Sequence, residues 1–322
     1  MVDARFKRET EVALALARKA VYATERIRKK GVEAVTKDDG TPVTQADIVS
    51  QAIILAGLQR HFPNDHIAAE EKLTVDGETE LKRRAREMIQ ELMNAGDPAE
   101  HLENWVNYRG DPKGARTWMI DPIDGTKGFK KGLCYAIAIG LYFDGKPQFG
   151  CMAVPSFPEI AGTRDETVIA YAGAGIGAFW AKAEGERPKR LHVSDINRIS
   201  ELRVVGSRAH DRGDICGKFV KAAGIARSGR MDGQAKYLML ASGQADVYIR
   251  SADPDYGIAF AWDHCAGQVI LEEAGGRVTD FAGKALNYDQ FTGDPIRDLD
   301  GLVASNATCH DEILALIGTL GV

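Results

Sequence analysis

The segment Trp118-Met119-Ile120-Asp121-Pro122-Ile123-Asp124-Gly125-Thr126 constrains the fold of this chain more than any other. Its three large apolar residues predict a buried strand, and the residues after them predict a turn at the end of that strand. Pro122 stiffens the turn because its ring fixes φ. The chain therefore needs a sheet with an acidic turn at one edge.

Two carboxylates in this turn are spaced to converge on a hard cation. Asp121 and Asp124 lie three positions apart, and the carbonyl of Ile123 between them can add a neutral oxygen. Mg²⁺ prefers such a mixture of carboxylates, waters and substrate oxygens. Gly125 allows close backbone approach, and Thr126 adds a hydroxyl and an amide. The alternative is a turn in which both carboxylates only cap backbone groups.

Two further acidic features occur in contexts that suit the same site. Glu70-Glu71 follows the short apolar stretch Ile67-Ala68-Ala69, and Asp263 stands where the N-cap of a helix belongs. Taken singly, the first could be a charged loop and the second a simple helix cap. His264 is predicted to form local hydrogen bonds, because its neighbours suit oxygen chemistry.

The N-terminal part is predicted to contain two amphipathic helices. Apolar residues at three-to-four spacing indicate one helix over residues 4–30 and another from about Gln45 to His61. Thr44 is the expected N-cap of the second helix, with Asp47 in the capping-box position. The basic cluster Lys82-Arg83-Arg84 is interleaved with glutamates and is expected on a solvated helix face.

Later segments indicate a hairpin and then a change of pattern. Residues 135–143 and 147–154 predict a hairpin around Asp144-Gly145. Past residue 160, short strands alternate with helices, which suggests a second, α/β half. The strands are expected at 167–171, 177–181, 203–206 and 245–250, and the helices near 212–223, 233–243 and 263–274. We therefore divide the chain into an α+β half, 1–155, and an α/β half, 156–322, with the site in the cleft between them.

Composition excludes several classes of function. The net charge is −5, which leaves no basic surface for nucleic acid. No stretch approaches the about 20 apolar residues of a membrane span, and the N-terminus lacks an apolar signal core. The cysteines Cys134, Cys151, Cys216, Cys265 and Cys309 form no CxxC pair, so reduced buried thiols are expected. A cytoplasmic protein that acts on a small-molecule substrate fits these features.

Three blocks of sequence together resemble the inositol monophosphatase superfamily. They are Ala69-Glu70-Glu71, the run from Trp118 to Phe129, and the run from Trp262 to Gly276, which occur in the family's order. The resemblance implies a layered αβαβα sandwich, of mixed α+β and α/β character, and a Mg²⁺-dependent, Li⁺-sensitive phosphatase. Ala69 replaces the family's usual glycine, a small change.

Further segments look like the 3′(2′),5′-bisphosphate nucleotidase branch of that superfamily. They run from Asp39 to Asp47, from Asp232 to Tyr237 and from Ala245 to Arg250. The resemblance implies hydrolysis of the 3′-phosphate of adenosine 3′,5′-bisphosphate to AMP, with 3′-phosphoadenylyl sulfate as a further substrate. Gly233 stands where many relatives have serine, and residues 255–261 lack charges common in relatives.

The resemblance also implies roles for individual residues. Two or three Mg²⁺ ions, for which Mn²⁺ can substitute, would be bound by Glu70, Asp121, Asp124, Asp263 and the Ile123 carbonyl. The attacking water would be activated by Asp47 and Thr126. The scissile phosphate would be held by Gly125 and Thr126, and the nucleotide with its second phosphate by Ser207, His210, Lys236 and Arg250.

Two alternatives remain open from the sequence. The first is an inositol polyphosphate 1-phosphatase or an inositol monophosphatase, which would share the chemistry and differ only in the pocket. The segments 232–237 and 245–250 argue against it. The second is a catalytically silent regulatory protein that binds a nucleotide or metal on the same fold.

Overall fold

A computed structural model of the chain describes residues 4–32, 34–36, 42–73, 77, 79–93, 101–158, 166–208, 214–252, 258, 260–289, 293, 295–296 and 298–321. The helices in this part of the chain are α1 Lys7–Lys30, α2 Gln45–His61, α3 Glu80–Met93, α4 Leu102–Val106, α5 Thr126–Phe129, α6 Ile215–Ala222, α7 Ala235–Ala241, α8 Cys265–Glu273 and α9 His310–Gly318. The strands are β1 Ala34–Thr36, β2 Pro42–Thr44, β3 His66–Ala69, β4 Thr117–Asp124, β5 Ala136–Phe143, β6 Lys146–Phe157, β7 Glu166–Gly173, β8 Gly177–Lys182, β9 Lys189–Arg190, β10 Arg203–Gly206, β11 Arg227–Arg230, β12 Val247–Ser251, β13 Arg277–Asp280 and β14 Gly301–Ser305.

The two N-terminal helices form the first layer, as the sequence predicts. α1 and α2 pack against each other and against the first sheet. The Thr44 hydroxyl accepts a hydrogen bond from the Ala46 amide, and the Asp47 carboxylate accepts one from the Thr44 amide, which completes the capping box. This reciprocal capping fixes where α2 begins.

The second layer is a sheet in the order β3-β4-β5-β6-β7-β8-β9. β3 and β4 are parallel and the remaining pairs are antiparallel. Along β5, Ile137, Ile139 and Leu141 join the apolar core with α1 and α2, whereas Ala136 and Tyr142 join a second core on the opposite face. This period of two shows that both faces of the sheet are buried.

The change from one sheet to the other falls later than the sequence analysis expects. The predicted division follows residue 155, but β6 ends at Phe157 and β7 pairs with β6 in the same sheet. The sheet continues through β8 to Arg190. The strands predicted at 167–171 and 177–181 therefore form a hairpin of the first sheet, not part of the α/β half.

The remaining layers complete an αβαβα sandwich, as expected. α7 and α8 lie between the first sheet and a second one, whose order is β11-β10-β12-β14-β13. On β12, Tyr248 belongs to the core shared with α7 and α8, whereas Val247 and Ile249 belong to a third core with α6 and α9. Helices therefore cover both sheets on both faces.

Helix α8 lies unusually close to the first sheet because glycines face it. A Cβ added at Gly140 would lie 2.6 Å from the Cys265 Sγ and 3.0 Å from the Ala266 amide nitrogen. A Cβ at Gly150 would collide with the Ala266 carbonyl. The missing side chains therefore let the start of α8, and Asp263 just before it, approach the end of β4.

The structure also tests the predictions made for individual side chains. Lys82, expected on a solvated face, is only 2% exposed, and its Nζ donates to the Gly77 carbonyl and pairs with Glu103. Arg83 and Arg84 do pair with Glu80 at the surface, as predicted. The five cysteines are all unbridged and buried, as expected.

Among the helices of the described residues, none combines the length and apolar character that crossing a membrane requires.

Candidate active site

Parallel pairing of β3 and β4 brings the first acidic residues together. Ala69 is in register with Ile120, and the Glu70 amide donates to the Ile120 carbonyl at 3.2 Å. Glu70 and Asp121 therefore follow matched positions at the same edge of the sheet. β4 extends to Asp124, further than predicted, and its register shifts between Asp121 and Asp124. Proline lacks the N–H that a regular ladder needs, which accounts for this irregularity at Pro122.

Asp263 joins this edge from another layer. It ends the 3₁₀ turn Ala261–Asp263, and the N-cap of α8 is the next residue, His264, not Asp263 as predicted. One carboxylate oxygen each from Asp121, Asp124 and Asp263 lies within 4.8 Å of the others. The structure therefore brings together three of the predicted metal-ligating carboxylates.

Backbone amides hold one oxygen of each of these carboxylates. The Ile123 amide donates to Asp121 Oδ1 at 3.1 Å, the Gln234 amide to Asp124 Oδ2 at 2.7 Å, and the Phe260 amide to Asp263 Oδ2 at 2.8 Å. Hydrogen bonds to a carboxylate favour its charged form and fix its orientation. Each side chain is thus oriented by the fold before any ligand arrives.

Burial and mutual repulsion nevertheless raise the pKa of these groups. Burial raises the pKa of Asp124 to about 7, with a further contribution from the charge of Asp263. The pKa of Asp121 is raised well above its ordinary value by burial and by Glu70. Burial also raises the pKa of Asp263, against the opposing charge of Arg250. Several buried carboxylates in one place are stable together only with protons or a cation among them.

This donor set fits a hard divalent cation. It consists of carboxylates and a backbone carbonyl, without sulfur or imidazole, which is the chemistry that Mg²⁺ prefers. Glu70 is close enough to raise the pKa of both Asp121 and Asp263. Asp121, Asp124, Asp263, Glu70 and the Ile123 carbonyl could therefore hold such an ion.

A hydroxyl and a carboxylate lie beside this cluster. The Thr126 Oγ1 lies 3.3 Å from Asp47 Oδ1 and 3.2 Å from the Ile123 carbonyl oxygen. Asp47 is fully buried, and its Oδ2 accepts hydrogen bonds from the Thr44 amide at 2.8 Å and from the Thr44 hydroxyl at 2.5 Å. These bonds turn Oδ1 toward Thr126. Gly125 precedes Thr126 with φ +97°, a conformation that favours glycine.

Two basic residues predicted to bind substrate lie close to the carboxylates. Lys236 is 4% exposed; its Nζ donates to the Gly233 carbonyl at 2.6 Å and lies 4.8 Å from the centre of the Tyr248 ring. Its charge lowers the pKa of Asp124. Arg250 is half-buried on β12 and lowers the pKa of Asp263. The charges of Lys236 and Arg250 therefore partly offset those of Asp124 and Asp263.

The other predicted substrate residues are placed less completely. Ser207 is buried just after β10, beside the segment that leads to Gly233, since the Met231 amide donates to the Gly206 carbonyl. His210 lies outside the described residues, as do residues 39–41 of the segment 39–47 and residues 255–257 and 259 of the stretch that lacks the relatives' charges. His264 forms local hydrogen bonds, as predicted, to the Tyr237 hydroxyl and the Ile258 carbonyl, each at 2.9 Å.

Three polar residues that were not predicted from the sequence hold the backbone next to Glu70 and Asp263 in place. Gln51 exchanges hydrogen bonds with the backbone of Glu71, and the Arg109 guanidinium donates to the Glu71 carbonyl at 2.8 Å. Gln234 contacts the backbone on both sides of Asp263. Only the position of Gln234 inside the segment 232–237 hinted at such a role.

Comparisons with known proteins agree on one family. A sequence model described as "Inositol monophosphatase family" matches residues 7–320. The 3′(2′),5′-bisphosphate nucleotidase of Schizosaccharomyces pombe is 32% identical, with 96% of this chain and 94% of that protein aligned. The protein of the same name from Emericella nidulans is 31% identical, over 97% and 98% of the two chains.

Solved structures show the same fold. The IMPase of Thermotoga maritima superposes with a TM-score of 0.67 at 24% identity, over 97% of both chains. An inositol monophosphatase from Anabaena gives a TM-score of 0.63 at 22% identity, over 96% of this chain and 94% of that one. These likenesses support the layered architecture described above.

Proposed function

The chain belongs to the inositol monophosphatase family, and on this premise we propose that it removes the 3′-phosphate of adenosine 3′,5′-bisphosphate, giving AMP and inorganic phosphate. The observation that supports hydrolysis of a phosphate monoester is the convergence of Asp121, Asp124 and Asp263 beside the Thr126–Asp47 pair. The names of the relatives from Schizosaccharomyces pombe and Emericella nidulans support the substrate. 3′-Phosphoadenylyl sulfate, which has the same 3′-phosphate, is a further proposed substrate.

The acidic cluster is the proposed Mg²⁺ site. Two or three ions, or Mn²⁺ in their place, would be held by Glu70, Asp121, Asp124, Asp263 and the Ile123 carbonyl. When bound, Mg²⁺ would neutralise phosphate charge, lower the pKa of the attacking water and stabilise the departing alkoxide. The orienting amide bonds reduce the reorganisation that the carboxylates need on binding.

Thr126 and Asp47 form the proposed proton acceptor. The Thr126 hydroxyl has one proton and two possible acceptors, Asp47 Oδ1 and the Ile123 carbonyl. If the Ile123 carbonyl serves as a ligand, Asp47 remains as the acceptor. The Thr126 oxygen then accepts a hydrogen bond from water, and its own proton is directed to the buried carboxylate.

Positive charge beside this centre supports a substrate with a second phosphate. We propose that Lys236 and Arg250 bind the non-reacting phosphate, Arg250 with its planar fork and Lys236 as a point charge. Ser207 and His210 would hold the nucleoside, and Gly125 and Thr126 the scissile phosphate.

Phosphate release from a substrate panel tests this function. Adenosine 3′,5′-bisphosphate, 3′-phosphoadenylyl sulfate, inositol 1,4-bisphosphate and inositol 1-phosphate are compared at one fixed Mg²⁺ concentration. The highest kcat/KM is expected for adenosine 3′,5′-bisphosphate. A higher kcat/KM for an inositol phosphate would contradict the proposed nucleotide substrate, although the proposed hydrolysis of a phosphate monoester would still hold. A folded protein without activity on the panel would support the silent regulatory alternative.

Lithium should inhibit the enzyme if the oxygen-rich site holds Mg²⁺. Li⁺ is close to Mg²⁺ in size but carries half the charge, so it can occupy the site without stabilising the leaving group as well. Rates are compared in LiCl and KCl at matched ionic strength. Inhibition by Li⁺ at low millimolar concentration or below is expected, and equal rates in both salts would contradict it.

A further inference from the structure

Gln234 connects the two chain segments that carry Asp124 and Asp263. Its amide donates to Asp124 Oδ2 at 2.7 Å. Its side-chain Nε2 donates to the Trp262 carbonyl at 2.8 Å, and its Oε1 accepts from the Gly267 amide at 3.1 Å. Gln234 therefore holds the Asp124 carboxylate with its backbone amide. With its side chain it holds the backbone on both sides of Asp263.

The chemistry of these partners fixes the orientation of the Gln234 amide. A carbonyl can only accept and a backbone amide can only donate, so the two ends of the side-chain amide cannot be exchanged without losing both bonds. Gln234 is 1% exposed, which keeps water from replacing these partners. The link between the 121–124 turn and the start of α8 is therefore specific and rigid.

Gly233 lets the backbone come close enough for this link. Its φ is +64°, and a Cβ there would lie 2.6 Å from the Asp124 carbonyl oxygen and 2.8 Å from Asp124 Oδ1. Any side chain would push the 233–234 backbone away from Asp124, or Asp124 away from it. In this chain a Cβ at position 233 would therefore be disfavoured by its contact with Asp124 as well as by the positive φ.

We propose that Gly233 and Gln234 are positioning residues that set the separation of Asp124 and Asp263 and so the affinity of the acidic cluster for a divalent cation. The inference rests on the proposed function only in taking that cluster to be a cation site. The residues do not touch the reacting groups; they act through the two carboxylates. Outer-shell partners of this kind typically change metal affinity by about 10- to 100-fold when removed.

The first test compares two buried glutamines. Gln234→Ala removes the link, whereas Gln268→Ala removes a similarly buried amide, 3% exposed, whose side-chain partners are Glu272 and Tyr288. Equilibrium Mn²⁺ binding is measured by electron paramagnetic resonance, and thermal unfolding is followed in parallel. Gln234→Ala should weaken Mn²⁺ binding by about 10-fold or more, with Gln268→Ala within about 2-fold of the unmodified protein.

The second test uses two glycines with nearly the same φ. Gly224 has φ +66° and open space around its Cα, so Gly224→Ala carries similar backbone strain without the contact at Asp124. Gly233→Ala should weaken Mn²⁺ binding and Gly224→Ala should not, although both lose stability. If Gln234→Ala does not fold, the comparison of Gly233→Ala with Gly224→Ala tests the inference.

The outcomes separate this inference from the proposed function. Equal Mn²⁺ affinities within both pairs, with tight binding by the unmodified protein, would overturn the positioning role and leave the proposed function standing. Absence of Mn²⁺ binding by the unmodified protein would overturn both. Weaker binding confined to Gln234→Ala and Gly233→Ala supports the inference whichever substrate proves best.

Discussion

Asp121, Asp124 and Asp263 each accept a backbone N–H with one oxygen while lying within 4.8 Å of one another. The amide bonds favour the ionised form, yet burial and repulsion raise the pKa of all three. A bound cation would reverse that balance, because attraction then replaces repulsion. The three carboxylates are therefore fixed in orientation, but their mutual repulsion is not relieved until a cation binds.

Asp124→Asn tests the cluster with little change in shape. The asparagine oxygen can still accept from the Gln234 amide, but one ligand charge is lost. A decrease in kcat of about 10³-fold or more is expected, since metal-ion catalysis supplies several kcal/mol. The metal-free variant should be at least as stable as the unmodified protein. Asp311→Asn, at an exposed ion pair with Arg277, is the control and should leave kcat unchanged.

Arg250→Ala tests the binding of the second phosphate. A loss of about 2–4 kcal/mol in kcat/KM is expected for adenosine 3′,5′-bisphosphate, mainly through KM, because the contact is made in ground and transition states alike. The loss should be much smaller for adenosine 3′-monophosphate. Arg277→Ala, at the exposed ion pair with Asp311, is the control and should leave kcat/KM unchanged for both substrates. Equal harm to both substrates would assign Arg250 to the cluster, because it also lowers the pKa of Asp263.

Between elements, the contact of α8 with β5 and β6 decides where Asp263 lies. Gly140→Ala would bring a methyl group to 2.6 Å from the Cys265 Sγ and force α8 outward. Overpacking of this kind typically costs about 1–3 kcal/mol, and here it should also weaken Mn²⁺ binding. Chemical denaturation and Mn²⁺ titration measure the two effects. Gly229→Ala, in a strand with open space around it, should change neither by much.

Local signals predicted the elements better than their pairing. The capping box of Thr44 and Asp47 marks the start of α2 within four residues of sequence, so it could be recognised directly. The place of β7 and β8 depends on hydrogen bonds to β6, which no local pattern encodes. Of the second sheet, β10 and β12 were predicted and β11, β13 and β14 were not, and the boundary between the two sheets was placed too early.

The same distinction applies to single residues. The carboxylates of the cluster were recognised because motif and chemistry coincide in short runs of sequence. Lys82 was expected at the surface because its neighbours are charged, but its ammonium donates to the Gly77 carbonyl, five residues earlier, and pairs with Glu103 at the start of α4, which the local pattern does not show. Gln234 is an ordinary polar residue in sequence, and only the fold brings it against Trp262 and Gly267.

For the molecule as a whole, the site joins residues from two different layers. Asp121 and Asp124 belong to the first sheet, whereas Asp263 belongs to the start of α8 in the middle layer. A cation bound by all three would link these layers, so its binding energy adds to folding stability. Stability should therefore depend jointly on metal and pH.

The sign of the pH effect follows from Asp124. Its pKa is about 7 in the folded metal-free protein and near its ordinary value in the unfolded chain, so the folded state binds more protons between these values. This contribution to stability is present at low pH and is lost as pH rises through about 7. The Tm of the EDTA-treated protein, relative to Asp124→Asn, should decrease from pH 6 to pH 8.

Saturating Mg²⁺ should oppose this trend, because deprotonated carboxylates bind the ion more tightly at higher pH. The stabilisation by Mg²⁺, measured as the difference in Tm with and without the ion, is expected to grow from pH 6 to pH 8. A constant difference over this range would mean that no group of the cluster titrates there.

The burial of all five cysteines has a practical consequence. Burial raises the pKa of the Cys151 thiol to about 12, and it raises the pKa of Cys265 as well, so neither is a reactive thiolate in the folded state. A maleimide or disulfide reagent can reach them only when the surrounding layer opens. Cys265 lies in the middle layer and Cys216 in the outer one, on α6. The relative labelling rates of these cysteines in the unmodified chain would therefore show whether the layers separate together or one at a time.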